Sequence, residues 1–447
     1  MTDKKEIKKI IFYASHRTFR TTLIGHLYEM CQVYPVVFLS EELDEETKKI
    51  IQDKKLFPKL EKIIFVNQLT GPKKNIFKKN RDLHKLARKV IDTYKPDIAV
   101  VPGDLYPFNM YLLRFAKRIN ALNISIQSGN AVDNDLVRKK VELTNAYLKF
   151  PKFLSLSVRI FLIRVRKHAG HILYHWILPI LVGEKPFLGK ASFILREGEA
   201  GMRDADYQIV FSKRDSDIHH KVGVPDEKLY ILKHPLERSK TRDFFKEKLL
   251  GMKAGNDKIA KKAVTLLLPP EDIGFKGKDY SLISKEERLK TRIKIINSVA
   301  KLLPNWKIYL KPHPDLKDFD EKKNIFESVS KSVEVISPSD LVDKYIKISN
   351  AIIGIPRAST TVLFYTSLIF PKKIMISLDF DKELAGDFYK NYTGVEYIDN
   401  EEKFIKTLEL ISNNKYKKES KKSKKLEEKE FPDTNKMLDY FYETRSC

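Results

Sequence analysis

Short apolar runs alternate with stretches of one helix length along almost the whole chain, and this alternation limits the possible folds more than any other feature. Ile10–Ser15, Tyr34–Leu39, Lys62–Val66, Asp97–Val101 and Asn123–Gln127 read as strands. Amphipathic segments such as Arg81–Tyr94 and Tyr111–Ile119 lie between them. Strands separated by helices imply parallel βαβ units. Right-handed crossovers then make an open, doubly wound sheet the default. After an interruption the rhythm returns in Ala205–Ser212 and Lys228–Pro235. A second series runs through Ala263–Leu268, Trp306–Leu310, Ser332–Ile336, Ala351–Ile355 and Lys373–Ser377. Its helical stretches are Ser284–Leu303, Leu341–Ile348 and Thr360–Leu368.

Two such series in 447 residues predict two Rossmann-like α/β domains. The first spans 1–236 and carries an insert at 149–190. A charged linker, 237–262, leads to the second domain at 263–413. Residues 414–447 form a tail that is dense in lysine and glutamate and ends in an amphipathic helix. Two cysteines, Cys31 and Cys447, rule against a disulfide framework, so a reducing cytoplasm is the expected compartment. The first apolar run is too short for a signal peptide, and no uncharged stretch reaches the ~18–20 residues of a membrane span.

The formal charge of +25 calls for a partner. Nucleic acid, anionic lipid and phosphate-bearing small molecules are the candidates, with solvated lysine-rich helix faces as the bland alternative. Nucleic acid is not expected, because no recognition motif is present and aromatics do not interleave with the basic runs. The insert is more specific. Phe153–Ile163 and Ile172–Val182 are strongly apolar, and Lys152, Arg159, Arg164, Arg166 and Lys167 punctuate them. No acidic residue occurs between Glu142 and Glu184. An apolar helical face with only basic charges suits an anionic bilayer surface. A buried pair of inter-domain helices is the competing reading. Peripheral association with the inner face of the cell membrane is therefore expected.

Chemistry concentrates at two corners of the second domain. Strand Trp306–Leu310 ends in Lys311-Pro312-His313-Pro314. Two prolines fix φ on either side of His313 and push the residues before them toward extended conformations. About 40 residues later, Ala351–Ile355 runs into Pro356-Arg357-Ala358-Ser359-Thr360-Thr361 at the start of a helix. A helix start offers unpaired N–H groups and roughly half a positive charge. Together the corners predict a phosphate site. One hydroxyl suffices to cap a helix, whereas Ser359, Thr360 and Thr361 stand together with Arg357.

The whole arrangement resembles the GT-B glycosyltransferases and the related non-hydrolysing sugar-nucleotide epimerases. The residues that carry this resemblance are Ala205–Ser212, Lys221–Val224, Lys228–Leu229 and Pro235. Lys311–Pro314 and Ser359–Thr361 are similar to the His-Pro and Ser-Ser/Thr elements of bacterial sialyltransferases, polysialyltransferases and capsule enzymes. A similar pair occurs in teichoic-acid glycerophosphate polymerases. The resemblance spans roughly Ile10–Leu378. It implies two domains facing across a cleft, with the acceptor on the first and a nucleotide-sugar donor on the second.

On that resemblance the enzyme is a metal-independent transferase with no cofactor beyond its co-substrate, which would be CMP- or CDP-linked. It acts on a glycan or lipid-linked acceptor in surface polysaccharide synthesis. His313 is the expected catalytic donor to the departing phosphate, with Lys311, Arg357, Ser359, Thr360 and Thr361 binding the donor. Glu271 and Asp272 also fall on the donor side. Asp104, after the strand ending at Val101, and His16, after the first strand, compete as base for the acceptor hydroxyl. Gln127 and Ser128 are acceptor-side candidates. Asp-x-Asp triplets occur at Asp204–Asp206 and Asp318–Asp320. In a chain with 59 acidic residues they are expected by chance, so no metal is assigned. The alternatives are a sugar-nucleotide 2-epimerase and a CDP-glycerol-type glycerophosphotransferase.

Overall fold

The computed structural model describes residues 7, 9–14, 23–41, 43–66, 76–103, 107–127, 154–155, 157–159, 161–162, 165, 172–186, 204–221, 223–249, 251, 262–269, 285–313, 319–340, 342–355, 360–380, 394–417 and 430–446. The strands, in chain order, begin with β1 (Ile10–Ala14), β2 (Val36–Ser40), β3 (Leu60–Phe65), β4 (Ile98–Val101), β5 (Leu122–Ile126), β6 (Tyr207–Val210) and β7 (Leu229–Leu232). They continue with β8 (Ala263–Leu267), β9 (Lys307–Lys311), β10 (Val333–Val335), β11 (Ala351–Gly354), β12 (Ile374–Leu378), β13 (Glu396–Ile398) and β14 (Glu430–Phe431). The principal helices of the first half are α1 (Ile24–Val33), α2 (Glu45–Gln52), α3 (Ile76–Tyr94), α4 (Pro107–Arg118), α5 (Lys213–Lys221) and α6 (Ser239–Phe244). Those of the second half are α7 (Lys285–Leu302), α8 (Phe319–Glu327), α9 (Val342–Ile348), α10 (Thr360–Ile369), α11 (Glu401–Ser412) and α12 (Thr434–Ser446).

The fold class is the expected one: α/β, with two all-parallel, Rossmann-like sheets. One compact unit comprises Met1–Ala131, Phe161–Leu249 and Lys425–Cys447, and the other Val132–Ile160 and Leu250–Lys424. The first unit's sheet has the order β14-β7-β6-β5-β4-β1-β2-β3, and the second's β10-β9-β8-β11-β12-β13. Counted from its own first strand, the second sheet runs 3-2-1-4-5-6, the doubly wound order, and reverses between β8 and β11. The first sheet reverses in the same way between β1 and β4.

Each central strand is one short apolar run because both its faces are covered. β1, β2, β4, β5, β8 and β11 are buried at every position, the pattern of parallel sheets sheathed by helices. In the first unit Ile11, Tyr13, Val37, Ala99 and Val101 pack with Leu83 and Ala87 of α3 and with Tyr111 and Phe115 of α4. In the second unit Val264, Leu266, Ile308, Leu310 and Ile353 pack with Ile295, Ile296 and Val299 of α7.

The unit boundaries differ from the sequence reading at more than one place, and Val132–Ile160, expected in the first domain, fall in the second unit. Residues 237–249, expected within a linker, include helix α6 and the π-wound turn Phe245–Leu249 of the first unit, with Phe244 and Phe245 buried. At the end of the chain the expected final helix is present and belongs to the first unit, whereas 418–429 of the charged stretch lie outside the described residues. β14 pairs with β7, and α12 buries Met437, Leu438 and Phe441 in the first unit. The local pattern of α12 announces an amphipathic helix but not the surface that receives it.

That surface is a buried polar knot on α1. Glu29 Oε1 accepts from Thr241 Oγ1 at 2.6 Å, and Oε2 accepts from Thr434 Oγ1 at 2.6 Å. Arg238 Nε lies 2.6 Å from Glu29 Oε1, an ionic contact whose N–H is not aligned on the oxygen. His26 Nδ1 lies 2.9 Å from Thr434 Oγ1, and its ring stacks on Phe211. Gly25 lets α1 approach closely, since a Cβ there would sit 2.7 Å from Pro235 Cβ.

Burial, helped by the charge of Arg238, lowers both histidines of this knot, His234 to about 3 and His26 well below its ordinary value of 6.5. Both therefore fold neutral. Below pH 6.5 the unfolded chain takes up the protons that the native state refuses, so stability present above 6.5 is lost as pH falls toward 3. The slope approaches about 1.4 kcal/mol per pH unit for each histidine. Glu29 and Glu237 oppose this in part, because burial raises both carboxyls and acid favours their native form. Denaturant unfolding at pH 7 and pH 5.5 should show the lower stability at pH 5.5. Equal stability at the two values would mean that these imidazoles are not held neutral.

Candidate functional site

Three strand ends stand level at the carboxyl edge of the second sheet. Gly354 of β11 is in register with Leu267 of β8, and Leu267 with Lys311 of β9. β8 lies in the middle, so the ends of β9 and β11 are about two strand spacings, or ~10 Å, apart. In open α/β sheets ligands bind outside these ends, at the reversal of strand order. Here the reversal falls between β8 and β11. The connections leaving the two strands are 268–284 and 355–359, and they carry Glu271, Asp272, Arg357 and Ser359. These four residues lie outside the described ones. α10 starts at Thr360, with Thr361 next, so both belong to the first turn of a helix that aims its N–H groups out of this edge.

His313 follows β9 by two residues and is half-buried, next to buried Pro312. Lys311 does not extend the same way. The residue is 6% exposed, and its ammonium donates to the carbonyls of Pro312 (3.2 Å), Ser337 (3.2 Å) and Pro338 (2.8 Å). An ammonium has three protons, and three carbonyls receive them. Burial lowers this lysine's pKa, against the opposing pull of the Asp340 carboxylate. Its expected role as a second cation at the phosphate thus competes with a visible one, fastening the turn after β10 to the end of β9. That turn, Ser337-Pro338-Ser339-Asp340, was not singled out from the sequence. Its hydroxyls, bonded to each other at 2.8 Å, are exposed beside the corner. A serine-proline-serine-aspartate cluster directly after a strand was the available signal.

The first sheet repeats the geometry. Its reversal lies between β1 and β4, and the loops that follow these strands hold His16 and Asp104. Neither residue is among those described. The loop after β4 begins with Gly103 at φ +132, a conformation that favours glycine. The Gly103 carbonyl is held by Asn109 Nδ2 of α4. Gln127 follows β5, is 8% exposed, and donates its backbone N–H to Ile209 O at 2.9 Å. Its neighbour Ser128 lies outside the described residues.

The acidic triplet at 204–206 has structural partners. Arg114 Nε donates to both carboxylate oxygens of Asp204, at 3.1 and 3.2 Å, and the Asn123 N–H donates to Asp206 Oδ2 at 2.9 Å. Among the described residues no group of three or more His, Cys, Asp or Glu side chains is placed to hold a metal ion. In the other triplet Asp318 lies outside the described residues, and Asp320 is in the first turn of α8.

No protein-family model matches the sequence, and no curated protein matches it. Solved structures share its fold. The UDP-GlcNAc 2-epimerase from Methanocaldococcus jannaschii is similar over 92% of this chain and 94% of its own, with a TM-score of 0.53 at 13% identity. The UDP-GlcNAc 2-epimerase from Neisseria meningitidis, bound to UDP-GlcNAc, covers 91% of this chain and 92% of its own, with a TM-score of 0.50 at 12% identity. This chain therefore shares the two-sheet fold of these two epimerases. At such identities the likeness speaks for the fold alone. Among the described residues no helix is long and apolar enough to cross a membrane.

Proposed function

We propose that this chain is an enzyme of nucleotide-activated sugars, and specifically a metal-independent glycosyltransferase working at an anionic membrane. The observation that carries the nucleotide part is that β9, which leads into His313, and β11, which leads toward α10, end level with β8 beside the reversal of the second sheet. When the bond between sugar and nucleotide breaks, negative charge grows on the departing phosphate. The His313 imidazole and the N–H groups at the start of α10 are donors fixed in advance for that charge, with Arg357, Ser359 and Thr360 supplying further contacts. Glu271 and Asp272 sit on the loop of the strand between them. Asp104 and His16, which follow β4 and β1 in sequence, are the two candidates for the base that deprotonates an acceptor hydroxyl.

A second reading has its own support. The solved structures with this fold are UDP-GlcNAc 2-epimerases, and an isomerase would use the same phosphate donors without an acceptor. The comparisons favour this reading, whereas the exposed apolar surface described below favours a transferase. Transfer of a phosphoalcohol, as from CDP-glycerol, would use the same corner.

A thermal-shift screen against CMP, CDP, UDP and GDP tests the shared part. One of them should raise the midpoint, since a ligand at about 100 times its Kd adds roughly 2.7 kcal/mol. No response to any nucleotide would remove the reading. Incubating the matching nucleotide sugar alone then separates the chemistries, because conversion at carbon 2 without an acceptor assigns the isomerase. Activity retained in chelator is expected, and strict metal dependence would contradict the mechanism.

A further inference from the structure

We infer that the first unit carries a built membrane-docking surface, centred on the segment Leu173–Ile180 and the start of α3, that seats on an anionic lipid bilayer. This rests on the membrane part of the proposed function only. The segment is π-wound over Leu173–Ile177 and continues as α-helix over Leu178–Ile180. It is apolar on the wrong side for a soluble protein. Ile177, Ile180 and Leu181, spaced to share one helix face, are exposed, the last two at 55% each. Ile172 is exposed and Trp176 half-exposed on the same segment.

The opposite side is fastened down, so the exposure is not that of a loose arm. Leu178 and Pro179 are buried, and the Leu178 carbonyl accepts from Asn80 Nδ2 of α3 at 3.0 Å. Buried Glu184, the first acid after the acid-free stretch, accepts from Arg118 Nη2 at 2.9 and 2.7 Å. His84 Nε2 lies 3.0 Å from Glu184 Oε1. These contacts set the apolar face beside the first turns of α3. There Phe77 is 54% exposed, and Lys78, Arg81 and Lys85 point to solvent with a single acid, Asp82, among them. Lys185 adds another exposed cation.

An apolar centre with an aromatic and a cationic rim fits the headgroup boundary of an anionic membrane. It fits a second copy of the same chain poorly, because the two cationic rims would face each other. The sequence extends the pattern, as 143–183 holds no acid and Phe161 and Val165 are exposed too.

The test is sedimentation of the full chain with vesicles of phosphatidylcholine alone or of a three-to-one mixture with phosphatidylglycerol. Trp176 fluorescence serves as a second readout, because Trp306 is buried in the other unit. Binding to the mixed vesicles, weakened by salt and accompanied by a blue shift, is expected. The Ile180→Asp/Leu181→Asp variant should bind at least tenfold more weakly with its nucleotide response unchanged. The Lys78→Glu/Arg81→Glu/Lys85→Glu variant should lose the salt-dependent part. Binding that is absent in the full chain, or undiminished by the Asp pair, would overturn the inference. So would a dimer broken by the Asp pair without vesicle binding, which would assign the face to a second copy. A nucleotide response without vesicle binding sinks the docking surface alone, and the reverse sinks the nucleotide reading alone.

Discussion

His313→Ala should lose turnover of the nucleotide sugar by a factor of ~100–1,000, with unfolding midpoint and secondary structure unchanged. Removing one preorganised donor from a developing anion raises the barrier by about 2.7–4 kcal/mol. The donor is preorganised here because the backbone leaves it little choice. Pro312 is buried at the end of β9, β9 is paired on both sides, and three carbonyls gathered on Lys311 fix the adjoining turn. The half-buried imidazole is not part of the core, so its removal leaves the fold intact. His313→Gln, which keeps an N–H donor, should retain more activity than alanine. Nucleotide binding should weaken less than turnover in either variant, since the charge that histidine meets is largest in the transition state. Wild-type turnover in the alanine variant would eliminate the proposed mechanism, whichever of the two reactions is catalysed.

Glu29→Ala should be strongly destabilising in the first unit, at about 3–5 kcal/mol, because it takes from the buried Arg238 guanidinium its closest counter-charge. Native stability is about 5–15 kcal/mol in total, so this is a large share of it. The carboxylate also receives the hydroxyls of Thr241 on α6 and Thr434 on α12, and Asn435 Nδ2 donates to the Glu29 carbonyl at 3.2 Å. Three segments far apart in sequence thus meet at one residue of α1. Urea unfolding should show the loss in the transition of the first unit. The paired change Glu29→Leu/Arg238→Met should recover much of it, because apolar residues of similar volume often replace a buried ion pair without loss. A Glu29→Ala protein within about 0.5 kcal/mol of the parent, the range of neutral surface changes, would show that the knot does not hold the chain's end in place.

Much of the candidate site was legible as positions along the chain and little of it as a constellation. His313, Asp104, His16, Arg357 and Glu271 were each recognisable as residues that follow a strand, from apolar runs ending in proline, glycine or polar turns. Their neighbourhoods were not. β8 comes first in its domain and lies between β9 and β11, so the loops that share an edge come from positions about 40 and 90 residues apart. Lys311 shows the same limit at the scale of one side chain. Its spacing from His313 pointed both toward one strand face, whereas the carbonyls of Ser337 and Pro338 turn its ammonium into the protein. The Asp204–Asp206 triplet, a metal motif on paper, is an anchor for α4 and β5 through Arg114 and Asn123.

The amino-acid order alone determined that the chain would make parallel sheets twice over. A strand covered on both faces must be a short continuous apolar run, and the helices that cover it must be amphipathic, so the architecture is written in local periods. Local chemistry likewise set the expectation of a stiff His313, since two prolines act on the backbone next to them. Only the tertiary structure decided which strand ends are neighbours, that residues 430–446 close the first unit, and that an apolar face of the insert points to solvent. Each of these depends on contacts between residues up to several hundred positions apart, such as His26 with Thr434, and no periodicity within one segment encodes its distant partner.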